Sequence, residues 1–178
     1  VAAVEIDKHA RGVLERRFPD TTLFEDVTEV TGDQLRAAGF VPERGIITGG
    51  FPCQDLSVAG KRAGLEGGRS GLFWHIIRLA KELQPKWLIL ENVPGLLSSN
   101  EGRDMGVVIS ALDELGYGVS WRILDAKYFG TPQRRRRVYV VGSYRSLRSA
   151  RVLFEEGATR IVAKQGMGER ISSDGGSL

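Results

Sequence analysis

The segment LFWHIIRLAKELQPKWLILENVP, Leu72 to Pro94, carries the two signatures from which the rest of the chain can be read. Leu72, Ile76, Leu79, Ala80 and Leu83 fall at the spacing of a helix with one apolar face. Pro85 lacks a backbone N–H and ends that helix. Trp87–Leu90 follows as an unbroken apolar run, and a short, wholly apolar run belongs to a strand covered on both faces. Glu91-Asn92-Val93-Pro94 then leaves the strand. A helix running into a doubly covered strand is the unit of α/β architecture.

The same alternation extends outward. Strands are expected at Ala2–Ile6, Thr22–Phe24 and Gly45–Thr48, with helices at Lys8–Phe18 and around Gln34–Ala38. Beyond Pro94, a helix from Met105 to Leu115 ends at Gly116, a suitable C-terminal cap, and strands follow at Val119–Leu124 and Val138–Val141. Residues 50–70 read as a glycine-rich loop, and periodicity weakens from Ser143 onward. The fold class predicted is α/β, a mostly parallel sheet with helices on both faces.

A chain of 178 residues, 42% hydrophobic and 26% charged, suits about one globular domain. One cysteine excludes an intramolecular disulfide and fits a reducing, cytoplasmic setting. No apolar run reaches the roughly 18 residues of a membrane span. The net charge of +3 says little alone. Its placement says more, because it gathers in Arg134–Arg137 and in Arg145, Arg148 and Arg151.

In sheets of this class ligands bind at the carboxyl ends of the strands. Glu5 with Asp7, Cys53, and Glu91 all fall at such ends. A free cysteine is more often a small buried hydrophobe than a reagent. Gly49 and Gly50 before it allow a sharp turn, and Pro52 biases Phe51 toward extended backbone. Such a turn presents a thiol at a crevice, where it can act as a nucleophile. Glu91 is either a solvated strand end or an acid at the active edge of the sheet. The arginine run is either a solvated basic face or a functional one. Strand alternation would put Gln133, Arg135 and Arg137 on one side and Arg134 and Arg136 on the other.

Three blocks, GGFPCQDLSVAGKRAGLEGGRSGLF (Gly49–Phe73), ENVPGLL (Glu91–Leu97) and YFGTPQRRRRVYVVG (Tyr128–Gly142), resemble signature blocks of the cytosine-C5 DNA methyltransferases, in the right order. The resemblance covers nearly all of residues 1–145. It implies a Rossmann-like S-adenosylmethionine-dependent methyltransferase fold and transfer of a methyl group to C5 of a flipped-out cytosine in double-stranded DNA. Cys53 would be the nucleophile, Glu91 would hold the ring, Arg137 the cytosine O2, and Arg135 would brace the site. Glu5, Ile6, Asp26, Val27, Pro52 and Leu72 would form the cofactor pocket. Gln54, Ser57, Lys61, Arg69, Gln133 and Arg134 would contact nucleic acid, the first four from a closing loop.

The resemblance further implies no metal, no membrane, a monomer associated with the nucleoid, and a bacterial or phage restriction–modification setting with a cognate endonuclease. Residues 146–178 would begin a linker or target-recognition region. The family's glycine-rich first block and first strand would precede Val1, so the 178 residues alone are expected to bind the donor poorly and to methylate little. Gly45 stands where many members carry an acidic residue. Two other readings stay open: an RNA cytosine-C5 methyltransferase of related fold, and a non-catalytic nucleic-acid-binding module.

Overall fold

The computed structural model describes residues 1–52 and 71–154. Strand β1 (Ala2–Val4) pairs in parallel with β2 (Thr22–Phe24) across helix α1 (Lys8–Arg17). Strand β1 ends two residues before Ile6 because the chain turns: the Glu5 carboxylate accepts from Asp7 N at 2.8 Å, and Asp7 caps α1 by accepting from Ala10 N. Helix α2 (Gly32–Ala37) begins with a reciprocal cap between Thr31 and Gln34. Strand β3 (Ile46–Gly50) leads toward the glycine pair.

Helix α3 (Leu72–Leu83) has the bounds predicted from its periodicity and ends at Gln84 in the left-handed region, just before Pro85. Its buried face differs by one position. Phe73 is fully enclosed, whereas Leu72 is 43% exposed. Strand β4 (Trp87–Asn92) buries Leu88, Leu90 and Asn92 on one side. Helix α4 (Arg103–Glu114) ends before Gly116, whose φ of +86° favours glycine. Strands β5 (Tyr117–Asp125) and β6 (Arg136–Tyr144) run longer than their apolar cores, and a short helix α5 (Ser149–Leu153) follows. Ser143 and Ser149 are buried there, joined by the Ser149 N–H donating to Ser143 Oγ.

The strands form two sheets, β1-β2 and β3-β4-β6-β5. β3 and β4 are parallel, but β6 runs antiparallel to both of its neighbours. Among the described residues, β1 and β3 each ladder on one side only, and both line a common cavity. Gly45 sits at the base of β3, where a Cβ would come 2.3 Å from Cζ of Phe40. The Phe40 ring fills the space a larger residue would need.

Two apolar clusters hold the fold. The larger packs Phe73, Ile76, Ala80, Leu88, Leu90, Val108, Leu112 and Val138 between α3, α4 and the four-stranded sheet. The smaller joins Val30 and Leu35 to Leu79 and Leu83. Helix α3 thus contributes to both.

Candidate functional site

Glu91 is the penultimate residue of β4, opposite Gly50 on β3 and Tyr139 on β6. Arg137 lies two residues before Tyr139 and therefore shares the face of Glu91. Its Nε pairs with Glu91 Oε1 at 2.7 Å. Arg135 Nη2 reaches the same oxygen at 3.7 Å. The tighter partner is thus Arg137, while Arg135 stands farther out and is more exposed. Arg134 and Arg136 line a separate concavity on the edge of β5, as alternation predicts for these four arginines, although β6 begins only at Arg136 and Gln133 stands on the turn before it.

The second carboxylate oxygen of Glu91 faces Gly50. A Cβ at Gly50 would approach Oε2 to 3.2 Å, so glycine keeps that oxygen clear. Next to it, the buried Asn92 joins two strand ends. Its Nδ2 donates to the Phe51 carbonyl at 2.7 Å, and its Oδ1 accepts from Val93 N at 2.8 Å. Phe51 is buried against the Phe73 ring, at a centroid distance of 4.9 Å. The backbone through Phe51, just before Pro52, is therefore fixed relative to Glu91. Cys53, Gln54, Ser57, Lys61 and Arg69 lie outside the described residues. Gln133 is exposed on the turn before β6, its N–H donating to Thr131 O.

The cavity shared by β1 and β3 has a volume of about 990 Å³. Glu5, Ile6, Asp26, Val27 and Leu72 all line it, as do Gly49 and Gly50; Pro52 is exposed and is not among its lining residues. The Asp26 carboxylate accepts from Thr28 N at 2.8 Å. That backbone bond, then the Thr28 hydroxyl, holds its pKa below the usual carboxylate value. Ile6 is 69% exposed, an apolar side chain offered to the opening.

One residue that the sequence did not flag organises this wall. Arg78 of α3 donates from Nη2 to the carbonyls of Val27 (2.9 Å) and Val30 (2.7 Å), and from Nη1 to Glu82. Glu82 in turn accepts from Gly32 N. Asn92 stands inside the Glu-Asn-Val block, but no spacing of residues encodes its role. Among the described residues no cluster of three or more His, Cys, Asp or Glu could hold a metal ion. No described helix is long and apolar enough to cross a membrane.

The mixed α/β sheets, with a cavity running between the facing edges of β1 and β3, fit a Rossmann-like methyltransferase fold, and solved structures agree. A putative DNA modification methyltransferase encoded in an Escherichia coli prophage superimposes with a TM-score of 0.64 at 28% identity, over 83% of this chain and 40% of that one. A DNMT2 mutant of Spodoptera frugiperda gives 0.63 at 26%, over 83% and 43%. Residues 1–171 match the family described as C-5 cytosine-specific DNA methylase, and the chain belongs to that family. The type II methyltransferase M.NgoBV of Neisseria gonorrhoeae is 42% identical over 150 residues, 80% of this chain and 34% of that protein. M.Sau3AI of Staphylococcus aureus is 40% identical over 167 residues, 90% and 40% respectively. The chain spans a minor part, at most two fifths, of the length of these two relatives.

Proposed function

We propose that this chain supplies the catalytic face of a DNA cytosine-C5 methyltransferase using S-adenosylmethionine. The observation that carries the reading is the Glu91–Arg137 pair at 2.7 Å, held beside the backbone that leads into the only cysteine. The Cys53 thiolate would add to C6 of an extruded cytosine, forming a C–S bond and making C5 nucleophilic. Bound S-adenosylmethionine would supply the methyl group that C5 accepts, its sulfonium sulfur leaving with the bonding pair as a neutral thioether. A base then removes the C5 proton, the C6–S bond breaks and the thiolate is restored.

Glu91 would hold N3 and the exocyclic amine while charge builds on the ring. Arg137 fixes one oxygen of that carboxylate, and Gly50 leaves the other accessible. Positioned donors and acceptors of this kind lower the barrier because they need no reorganisation as charge develops. Arg137 would also reach the cytosine O2, and Arg135 would brace the acid from outside.

One side of the cavity, from Glu5 and Ile6 to Asp26 and Val27, carries groups suited to the donor. A carboxylate at Glu5 suits ribose hydroxyls, the side chain of Ile6 suits an adenine face, and Asp26 with Val27 suits the adenine edge. Double-stranded DNA is the substrate proposed, in a restriction–modification setting like that of the named type II relatives.

The test is covalent capture. The protein carrying this chain, with whatever residues flank it, is incubated with S-adenosylmethionine and a duplex bearing 5-fluorocytosine at its target. A stable adduct should map to Cys53 and vanish in Cys53→Ser. An adduct on another residue, or one that survives Cys53→Ser, refutes the assignment.

A further inference from the structure

We infer that the outer edge of β5 is a second nucleic-acid contact, gripping phosphates that flank the target. The inference rests on the proposal that the partner is nucleic acid. Strand β5 is the last strand of its sheet, so its far side is open among the described residues. Along it lies a concavity of about 1080 Å³, into which Arg122, Lys127, Arg134 and Arg136 converge.

Two of these cations are already oriented. Arg122 donates to the Leu153 carbonyl at 2.9 Å, with its guanidinium 5.7 Å from the Phe154 ring centre. The Lys127 ammonium sits 4.5 Å above the Tyr128 ring. The groove's carboxylate, Asp125, accepts from the backbone N–H groups of Lys127 and Arg135. Among the described residues none of the four cations forms an ion pair. Tyr128 and Phe129 stand 75% and 66% exposed at the rim. Converging cations beside exposed rings form a surface suited to a sugar–phosphate strand.

Arg136 lies between Arg135 and Arg137 in the chain but points to the opposite face of β6. The groove and the Glu91 cluster therefore engage different stretches of the duplex.

The experiment follows binding of a 30-base-pair duplex by the protein carrying this chain, as used for covalent capture, with fluorescence anisotropy across salt concentrations. Each phosphate contact adds roughly 0.9 to the slope of log affinity against log salt. Lys127→Ala with Arg136→Ala should flatten the slope by about 1.8 and weaken binding on the order of a hundredfold at 50 mM salt. Lys127→Glu alone should flatten it by at least about 0.9. The control, Arg16→Ala with Arg17→Ala on α1, removes the same charge and should leave the slope in place. Circular dichroism checks that each variant is folded.

An unchanged slope in both groove variants overturns the inference. So does an equal loss in the control, or displacement of DNA by polyglutamate at equal charge concentration. Covalent capture at Cys53 is read separately. An adduct with an unaltered slope defeats the groove and spares the chemistry; a flattened slope without an adduct does the reverse.

Discussion

Removing the Asn92 side chain should loosen the junction between β3 and β4 by an amount the contacts define. Asn92→Ala deletes at least the bond to the Phe51 carbonyl and the one from Val93 N, each worth about 1 kcal/mol net. It also takes this donor from the Phe51 carbonyl, and a buried acceptor that loses its donor costs about 1–3 kcal/mol. Part of that penalty is already in the lost bond, so the expected total is roughly 3 kcal/mol. For a chain of this size that is a fall in Tm of about 6–12 °C. Asn92→Asp separates the two bonds: it keeps an acceptor for Val93 N but turns an oxygen, not an N–H, toward the Phe51 carbonyl. Thermal melts by circular dichroism measure both. Capture by 5-fluorocytosine DNA should slow in both variants, because the approach to Cys53 is no longer fixed. A Tm within about 2 °C of the parent for Asn92→Ala would sink the reasoning.

Other outcomes follow from single contacts. Tyr117→Phe removes the bond to the Pro85 carbonyl at 2.8 Å and should cost about 1–2 kcal/mol at neutral pH, read by urea unfolding. Burial, and then the Tyr144 charge, raise the Tyr117 pKa above its unfolded value of 10.0. Its stabilisation is therefore present below about pH 10 and lost as pH rises; the phenylalanine variant should lack that alkaline loss. NMR titration should place the Asp26 carboxyl below 3.8, and Thr28→Val should return it part of the way upward. Because the folded pKa is lowered, this contribution holds above the unfolded value and fades as pH falls. Arg78→Lys cannot hold both the Val27 and Val30 carbonyls and should raise KM for the methyl donor about tenfold, roughly 1.4 kcal/mol, with kcat little changed. Glu91→Gln should shift stability by no more than about 1 kcal/mol, since the pair is part-exposed, yet slow adduct formation at least a hundredfold.

Most elements were legible because their signals are local. The α3 period and Pro85 lie within one segment, and Gly116 ends α4 by a conformation that glycine adopts freely. Strand direction is not local. Val138–Val141 reads as apolar whichever way it runs, and only pairing with β4 and β5 shows that β6 is antiparallel. The shift from Leu72 to Phe73 on the α3 face is likewise set by packing, since Phe73 meets the rings of Phe51 and Trp74. In the site, Glu91 and the arginines were readable from contiguous motifs and strand alternation. That Arg137 rather than Arg135 makes the short contact depends on geometry that no spacing encodes. Arg78 was invisible for a plainer reason: its carbonyl partners lie 51 and 48 residues away in sequence.

Helix α3 turns Phe73, Ile76 and Ala80 toward one apolar cluster and Leu79 and Leu83 toward the other. It works as a party wall between two rooms. The β1–β2 ribbon leans on it through a small cluster and the Arg78 strut, while the four-stranded sheet owes the ribbon no ladder among the described residues. Amides of Ala3 and Val4 should therefore exchange with solvent long before those of Leu88 and Leu90. The chamber proposed for the methyl donor can breathe on one side without disturbing the acid and guanidinium proposed to grip the base.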